Sequence, residues 1–411
     1  FVINMIGLST GLACALLIYL WVNHELSVDK FHEKDRRLYQ VLESRRTTDG
    51  VGISNETSGP MAELIKENMP EVEYSAAVGP AWWPGFDNFT VSVGELNVRA
   101  TGQYAGKDYF NIFSFELLTG SKDRVLYDKN SIVLSEELVL KLFKSKEDAI
   151  GKVVMINHEQ EFIISGVMKD IPSQSTIQFD LIMSFEILKD LKPWVTSWGS
   201  SGPIVYVTLK DGTEVEYFNE KFAAFIKERF GAETVRTAFL RKFSDIYLYG
   251  ISDHEPHRIR YVRLFSIIAV FILLIACINF MNLSTARASR RFKEVGVKKV
   301  MGAGRRNLIF QFMGESVMTS ILSFMVAILI VILYLPAFNQ ITGKRLSLSY
   351  DGELLIYSLL VTLITGIIAG SYPALYLSRF RPIQILKSSV NTSAGEVWVR
   401  KVLVVFQFSI G

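Results

Sequence analysis

The sequence predicts an α-helical polytopic membrane protein with a large α+β domain inserted between its first and second transmembrane helices. Four long apolar segments carry this prediction, because a helix rising about 1.5 Å per residue needs about 20 apolar residues to cross roughly 30 Å of hydrocarbon. A long polar segment separates the first apolar segment from the second. The second and third are joined by a short basic stretch, which determines how the chain is oriented in the membrane.

The predicted spans follow the extent of each apolar run. They comprise residues 1–22, 264–286, 309–335 and 354–378, and a fifth run opens at 402–411. Between them lie an outer domain at 23–263, a cytoplasmic connection at 287–308, a short outer loop at 336–353 and a cytoplasmic linker at 379–401. Because the chain opens within an apolar run and without an initiator methionine, we expect both ends to be truncations of a longer protein.

The cytoplasmic connection carries the charge that fixes the orientation. Its cationic residues are Arg287, Arg290, Arg291, Lys293, Lys298, Lys299, Arg305 and Arg306. Glu294 is the one acidic residue among them. Basic loops close to membrane spans stay in the cytoplasm, so the sequence predicts that residues 23–263 form an extracytoplasmic domain.

The charge balance agrees with this division. Residues 23–263 hold 29 Lys and Arg against 36 Asp and Glu, whereas the rest of the chain holds 15 against 5. The pI of about 8.6 therefore reflects membrane topology, and it does not indicate nucleic-acid binding. Cys14 and Cys277 lie inside apolar runs, so no disulfide is expected in the outer domain.

The outer domain mixes helix and strand patterns. Two hairpins are predicted, at 89–100 around Gly94-Glu95 and at 153–167 around residues 157–159, with Gly166 as a candidate bulge. Helices are predicted at 61–68, 135–143 and 218–230 from the spacing of their apolar residues. The sequence therefore indicates an α+β domain rather than an extended linker.

Several segments of the chain resemble one family. They are VNHELSVDKFH at 22–32, DYFNIFSF at 108–115, ACINFMNLSTA at 276–286, KEVGVKKVMGA at 293–303 and GSYPA at 370–374. Together they resemble the MacB/FtsX-type ABC transporter permeases of the Bacteroidota, and this chain looks like the N-terminal half of such a protein. The resemblance implies a MacB-like periplasmic core domain followed by FtsX-like transmembrane helices.

The resemblance also implies partners. Such permeases pair with an ABC ATPase subunit and form a homodimer, or a pseudo-dimer with a second permease half. A periplasmic adaptor and an outer-membrane channel join some of them. ATP-driven closure at the cytoplasmic side would move the periplasmic domain, which is called mechanotransmission, and would export or extract a substrate such as an antimicrobial, a peptide or a lipoprotein.

Other functions remain open from the sequence. One is an FtsX-like signalling scaffold that activates a periplasmic partner such as a cell-wall hydrolase. A sensor-kinase input region would explain a domain between two spans, although it does not explain the further spans. The phosphate-loop, HExxH and GxSxG signatures are absent from the sequence. We therefore expect a non-catalytic permease without cofactor or metal, whose ATP hydrolysis occurs on a partner or on sequence outside this chain.

The cytoplasmic connection is the predicted site of coupling to an ATPase. The residues concerned are Phe292, Glu294, Val295, Gly296, Val297, Lys298, Lys299, Val300, Met301, Gly302 and Ala303. Glycines at 296, 302 and 304 are expected to interrupt the helix, leaving a short helix with turns. The apolar residues do not form one clean stripe, and we expect them to contact a groove of the partner. The alternative is that the basic residues only anchor the loop to anionic lipid.

Small and polar residues inside the spans predict helix packing. Gly7 and Gly11 form one GxxxG pair, and Gly366 and Gly370 form another. Asn279 and Asn282 are candidates for hydrogen bonds between helices. Packing within one protomer and packing between moving helices both remain open.

Two clusters in the outer domain invite a functional reading. A metal site is conceivable among His24, Glu25, Asp29, His32 and Glu33, but their spacing follows no ligand pattern, so a solvated helix face is favoured. Aromatic residues gather at Trp82, Trp83, Phe86 and Phe89, and again at Trp194 and Trp198. These are expected in a core more readily than in contact with a hydrophobic substrate.

Overall fold

The computed structural model describes residues 2–47, 50–86, 88–143, 145–146, 148–231, 236–252, 257–286, 288–348 and 352–379. The chain divides into two compact units, a helical unit at 1–24 and 260–411 and an outer unit at 25–259. The predicted cytoplasmic linker at 379–401 and the predicted start of a fifth span at 402–411 lie outside the described residues, except for the last residue of a helix at 379.

Eleven helices occur among the described residues. They are α1 Val2–Ser27, α2 Met61–Asn68, α3 Tyr109–Ile112, α4 Glu136–Leu142, α5 Phe185–Leu191, α6 Val215–Phe230, α7 Phe243–Tyr249, α8 Arg258–Ala286, α9 Ala288–Val300, α10 Arg305–Thr342 and α11 Gly352–Arg379. Four of them, α1, α8, α10 and α11, are long and apolar enough to cross a membrane. The predicted fold class is confirmed, because a large α/β domain follows the first of these helices.

The described strands belong to the outer unit. They are β1 Leu38–Thr47, β2 Gly50–Ser54, β3 Val72–Gly79, β4 Phe89–Val93, β5 Leu96–Ala100, β6 Gly102–Ala105, β7 Leu117–Thr119, β8 Ser131–Ser135, β9 Val153–Ile156, β10 Gln160–Met168, β11 Leu181–Ser184, β12 Ile204–Leu209 and β13 Arg236–Lys242. They form one mixed sheet in the order β13-β1-β12-β3-β6-β11-β8-β10-β9-β4-β5, with β2 on β1 and β7 on β10.

Both faces of this sheet are covered. Along β12, Val205 and Val207 belong to one hydrophobic cluster, and Ile204 and Tyr206 belong to the other. Because successive side chains of a strand point to opposite faces, the two clusters lie on opposite sides of the sheet. All six residues of β12 are buried, as expected for a strand at the centre of a three-layer arrangement.

Local sequence signals explain several elements. The hairpin of β4 and β5 closes at Gly94, whose φ of +59° is a conformation that glycine adopts without strain. The second predicted hairpin is also confirmed, and the register of β10 against β8 shifts before Gly166, as predicted. Ser135 caps α4 by accepting a hydrogen bond from the Leu138 N–H.

One helix is longer than the apolar pattern indicated. α10 continues through Pro336 to Thr342, so the first part of the segment predicted as an outer loop is helical. It ends where Gly343 adopts a left-handed conformation. The Asn339 side chain then bonds both the N–H and the carbonyl of Leu346, which holds the chain as it turns away from the helix.

Candidate coupling surface

The connection between the second and third long helices is itself a helix, α9. It ends in a pair of backbone hydrogen bonds, from Ala303 N–H to the Lys298 carbonyl and from Gly302 N–H to the Lys299 carbonyl. Gly302 has a φ of +96°, so this is the Schellman arrangement in which glycine ends a helix. The predicted short helix with turns is present. Gly296, expected to interrupt it, lies instead inside α9 and is buried.

One face of α9 is fixed to the helical unit. Val295 is completely buried and packs in a cluster with Leu308, Phe312, Ala374 and Leu377, which lie on α10 and α11. Val295 was expected to contact a partner, and this expectation needs correction, because its side chain is already enclosed by its own chain. The sequence alone could not show this, since the enclosing residues are distant along the chain.

The opposite face of α9 is apolar and open. Val297 is 57% exposed, Val300 71% and Met301 75%. Residues spaced by three and four positions lie on the same side of a helix, so these three side chains form one surface, which we call the coupling face. The structure therefore separates two sets of apolar residues that the sequence did not divide into stripes. The side chain of Phe292 lies outside the described residues.

Charged residues border the coupling face. The Lys298 ammonium contacts the Glu294 carboxylate at 2.8 Å and the Gln311 amide oxygen at 3.1 Å. Lys299 donates a 2.7 Å hydrogen bond to the carbonyl of Ser378, near the end of α11. Partial burial, together with the nearby Arg305 guanidinium, lowers the pKa of Lys299. These contacts connect the last turn of α9 to α10 and α11.

The first glycine pair packs α1 against α8. A Cβ at Gly11 would lie 2.6 Å from the Ala276 Cβ, and one at Gly7 would lie 2.9 Å from the Asn279 side-chain nitrogen. Asn4, which the sequence did not single out, donates from Nδ2 to the Ser284 hydroxyl at 2.9 Å. The structure thus assigns Gly7 and Gly11 to close packing within one chain. Asn282 is half-buried on the same helix as Asn279.

The second glycine pair packs α11 against α10. A Cβ at Gly370 would lie 2.5 Å from the Ser316 Cβ, and one at Gly366 would lie 2.8 Å from the Ser320 hydroxyl. Ser316 and Ser320 bond carbonyls one turn back in their own helix, so their hydroxyls are satisfied at this contact. Both glycine pairs therefore allow close approach between helices of the same protomer.

The cluster at residues 24–33 is not the solvated helix face that was favoured, because His24, Glu25, Asp29 and His32 are each at most 7% exposed. Both Asp29 carboxylate oxygens accept hydrogen bonds from Thr176, at 2.8 Å from its N–H and 2.6 Å from its hydroxyl. His32 packs among Phe113, Phe115 and Phe243, and its Nδ1 accepts from the Ser114 N–H. Within the described residues no group of three or more His, Cys, Asp or Glu side chains gathers in a way that would hold a metal ion.

The aromatic residues separate by burial. Trp83, Phe86 and Phe89 belong to the core of the outer unit, whereas Trp82 is 57% exposed. Trp194 is partly exposed and lies with its ring centre 5.4 Å from that of Trp83. The core role was the favoured expectation for this set, and Trp82 and Trp194 depart from it.

Comparisons with known proteins follow the same division. Residues 1–225 match the family described as MacB-like periplasmic core domain, which is more than half of the chain. The chain belongs to the MacB/FtsX-type ABC transporter permeases. Residues 266–382 match the FtsX-like permease C-terminal family, which covers α9 and most of the helical unit. The family named from the sequence motifs is thereby confirmed.

Individual relatives are distant. The permease is 22% identical over 351 residues to the macrolide export ATP-binding/permease protein MacB of Vibrio parahaemolyticus, covering 82% of this chain and 50% of that protein. It is 23% identical over 341 residues to MacB of Neisseria gonorrhoeae, covering 82% of this chain and 51% of that protein. The chain therefore spans about half the length of the curated relatives it matches.

Solved structures show similarity to about half of the chain. A domain of a permease protein from Porphyromonas gingivalis shares 21% identity with a TM-score of 0.43, covering 56% of this chain and 98% of that domain. The periplasmic region of MacB from Actinobacillus actinomycetemcomitans shares 17% identity with a TM-score of 0.37, covering 53% and 94%.

Proposed function

We propose that this permease converts the ATP-driven closure of a partner ABC ATPase into movement of its periplasmic domain. In this proposal it lies in a bacterial inner membrane and acts with a second permease half, either a copy of itself or a pseudo-symmetric one. The movement exports or extracts a substrate such as an antimicrobial, a peptide or a lipoprotein. ATP hydrolysis belongs to the partner or to sequence outside this chain.

The observation that carries the proposal is the two-sided character of α9. Its coupling face leaves Val297, Val300 and Met301 open, while Val295 is enclosed among α10 and α11 on the other side. A helix that served only to anchor lipid head groups would need its basic residues but not a firmly packed inner side. Because α9 is packed against α10 and α11, a partner that moves the coupling face also moves these two helices.

The charge around the coupling face supports a protein partner. Lys298 is engaged by Glu294 and Gln311, and Lys299 bonds a backbone carbonyl, so these two cations already have partners within the chain. Apolar side chains surrounded by satisfied polar groups resemble the centre and rim of a protein interface. We infer that a shallow apolar groove of the ATPase receives the coupling face.

A paired charge substitution tests this proposal. The double variant Val297→Asp and Met301→Asp places two carboxylates on the coupling face, where docking would bury them against an apolar groove. We expect binding of the ATPase to weaken by about 2–4 kcal/mol, or about 30-fold to 700-fold, as measured by copurification and by titration in nanodiscs. The helical unit should remain folded, because all substituted side chains are exposed.

The matched control is Arg306→Asp with Asn307→Asp, which adds carboxylates to exposed positions of the same connection but keeps the coupling face. This control should retain most ATPase binding. If instead both double variants lose the ATPase equally, added negative charge anywhere on the connection weakens attachment, and the coupling face is not the docking surface. Full binding by the Val297 and Met301 variant would also refute the proposed docking surface.

A further inference from the structure

The outer unit contains an open cavity of about 660 Å³ on one face of its central strands. The floor is built from Gln40 on β1, Tyr206 and Ile204 on β12, and Val78 on β3. Gln40 and Tyr206 stand directly opposite each other in the antiparallel pairing of β1 with β12, as do Ile204 and Val78 in that of β12 with β3. The volume falls in the range of pockets that bind small molecules.

The walls of this cavity are mainly apolar. Phe243 and Ile246 of α7 line the cavity. Ile177 also lines it, and the preceding residue, Thr176, hydrogen-bonds the Asp29 carboxylate. Trp82 stands at the cavity with more than half of its surface exposed. An exposed tryptophan beside an aliphatic and aromatic wall provides a surface for the apolar body of a ligand.

The floor carries a hydrogen-bond donor that lacks an acceptor. Gln40 is only 4% exposed, and within the described residues its side-chain nitrogen has no hydrogen-bond partner. A buried donor without an acceptor is costly, so buried polar groups in native proteins are nearly always paired with protein, water or a bound molecule. The neighbouring amide of Gln103 differs, because it donates to the Tyr109 hydroxyl at 2.8 Å. Gln40 therefore favours a ligand that brings an acceptor oxygen.

A cationic side chain at the cavity also favours a ligand with acceptor oxygens. The Arg258 guanidinium lies 4.7 Å from the centre of the Tyr247 ring and donates a 3.4 Å hydrogen bond to the Tyr247 hydroxyl, which itself donates to the Glu25 carboxylate. Asp29 also lines the cavity, but both of its oxygens are occupied by Thr176. Arg258 is exposed and its guanidinium carries five N–H groups, so donors remain for a ligand, whereas the Asp29 carboxylate is already engaged by the protein.

We propose that this cavity binds an anionic amphiphile, a molecule with an apolar body and an oxyanion head group such as a carboxylate or a phosphate ester. The Gln40 amide donates to an acceptor oxygen of the ligand, and Arg258 attracts its negative charge. The apolar body lies against Phe243, Ile246 and Trp82. This site goes beyond the proposed coupling function and needs no ATPase, so each proposal is able to fail without the other.

Binding is measured by calorimetric titration of the full chain in nanodiscs, with empty nanodiscs subtracted to remove partition into lipid. The probes are decanoate, decyl phosphate, decyltrimethylammonium and inorganic phosphate. We expect saturable binding of decanoate, of decyl phosphate or of both, and none of the cationic amphiphile or of inorganic phosphate. The comparison of the two anionic amphiphiles identifies the preferred head group.

Two variants test the named contacts. Arg258→Gln removes the cation from an exposed position, and Gln40→Leu removes the buried donor at similar volume. Each should weaken binding of the anionic amphiphile by about tenfold or more. The matched control is Arg260→Gln, an exposed arginine near the start of α8 that does not line the cavity, and it should bind as the wild type does.

The outcome does not depend on the folding of one variant. If Gln40→Leu changes the far-ultraviolet circular dichroism spectrum, Arg258→Gln, at an exposed position, decides the matter alone. The proposal is wrong if Arg258→Gln and Arg260→Gln bind decanoate and decyl phosphate equally well. It is also wrong if decyltrimethylammonium binds the wild type as tightly as the anionic amphiphiles.

Discussion

The interior of the outer unit and the interior of the helical unit are packed with different kinds of residues. In the outer unit large side chains fill the space between sheet and helices, and Tyr109, Phe110 and Phe113 are each at most 1% exposed. In the helical unit glycines and serines permit close contact, while large residues such as Leu333 on α10 are 74% exposed.

The difference follows from the solvent that each unit is built for. Water drives apolar side chains of the outer unit inward, so volume and shape in the core determine stability. A lipid bilayer is itself apolar and provides no such force, so helices associate through close backbone approach and hydrogen bonds. The same residue type is therefore expected to have opposite importance in the two units.

The largest expected effect contrasts Phe113→Ala with Leu333→Ala. Phe113 contacts the rings of Tyr109, Tyr206 and Phe243, so its removal leaves a cavity and should cost about 3–5 kcal/mol in the outer unit. Leu333→Ala should change the stability of the helical unit by less than about 0.5 kcal/mol. Urea titration in nanodiscs, followed by tryptophan emission and circular dichroism, measures both. Equal losses would contradict the comparison.

A second prediction concerns two buried titratable groups of the outer unit. Burial raises the pKa of Asp29 from 3.8 to about 6 and lowers the pKa of His32 from 6.5 to about 4. The Asp29 contribution to stability is present below pH 3.8 and lost as the pH rises through 6. The His32 contribution is present above pH 6.5 and lost as the pH falls through 4. The two contributions therefore change in opposite directions between about pH 4 and pH 6.

Variants separate these two contributions. Relative to the wild type, Asp29→Asn should lose on the order of 3 kcal/mol of unfolding free energy between pH 6.5 and pH 4, because only His32 then responds. His32→Asn should gain a similar amount over the same range. Urea midpoints of the outer unit at several pH values check both. Parallel pH profiles for the wild type and the two variants would contradict the assignment.

The smallest expected effect compares two glycines of the helical unit. Gly370→Ala places a Cβ 2.5 Å from that of Ser316, and overpacking of this kind should cost about 1–3 kcal/mol. Gly314→Ala has no atom within 4 Å of the new methyl group, so it should stabilise α10 by up to about 1 kcal/mol. Circular dichroism in mixed detergent and SDS micelles measures the difference. The same sign for both would show that the contact at Gly370 is loose.

The sequence could predict elements whose cause is local. Each span needs only a long apolar run, and the turn at Gly94 needs only a glycine between two alternating segments. The strand order could not be predicted, because the pairing of β1 with β12 and β13 joins segments that are far apart in the sequence.

The candidate coupling site shows the same limit. Its location was readable from the basic residues between two spans. The burial of Val295 and the exposure of Val297 could not be predicted, because they depend on where α10 and α11 lie. The proposed cavity was invisible for the same reason, since Gln40 and Arg258 belong to opposite ends of the outer unit's sequence.

The long-range pairing of β1 has a consequence for how the protein is made. Leu38 pairs with Thr208, and Tyr39 pairs with Lys242. The first span leaves the ribosome long before these partner strands are synthesised. Strand β1 is able to pair early with β2, the next strand along the chain, but the residues that pair with β12 and β13 lack these partners until both segments have been synthesised. During that interval the unpaired strand edge favours aggregation of the growing chain.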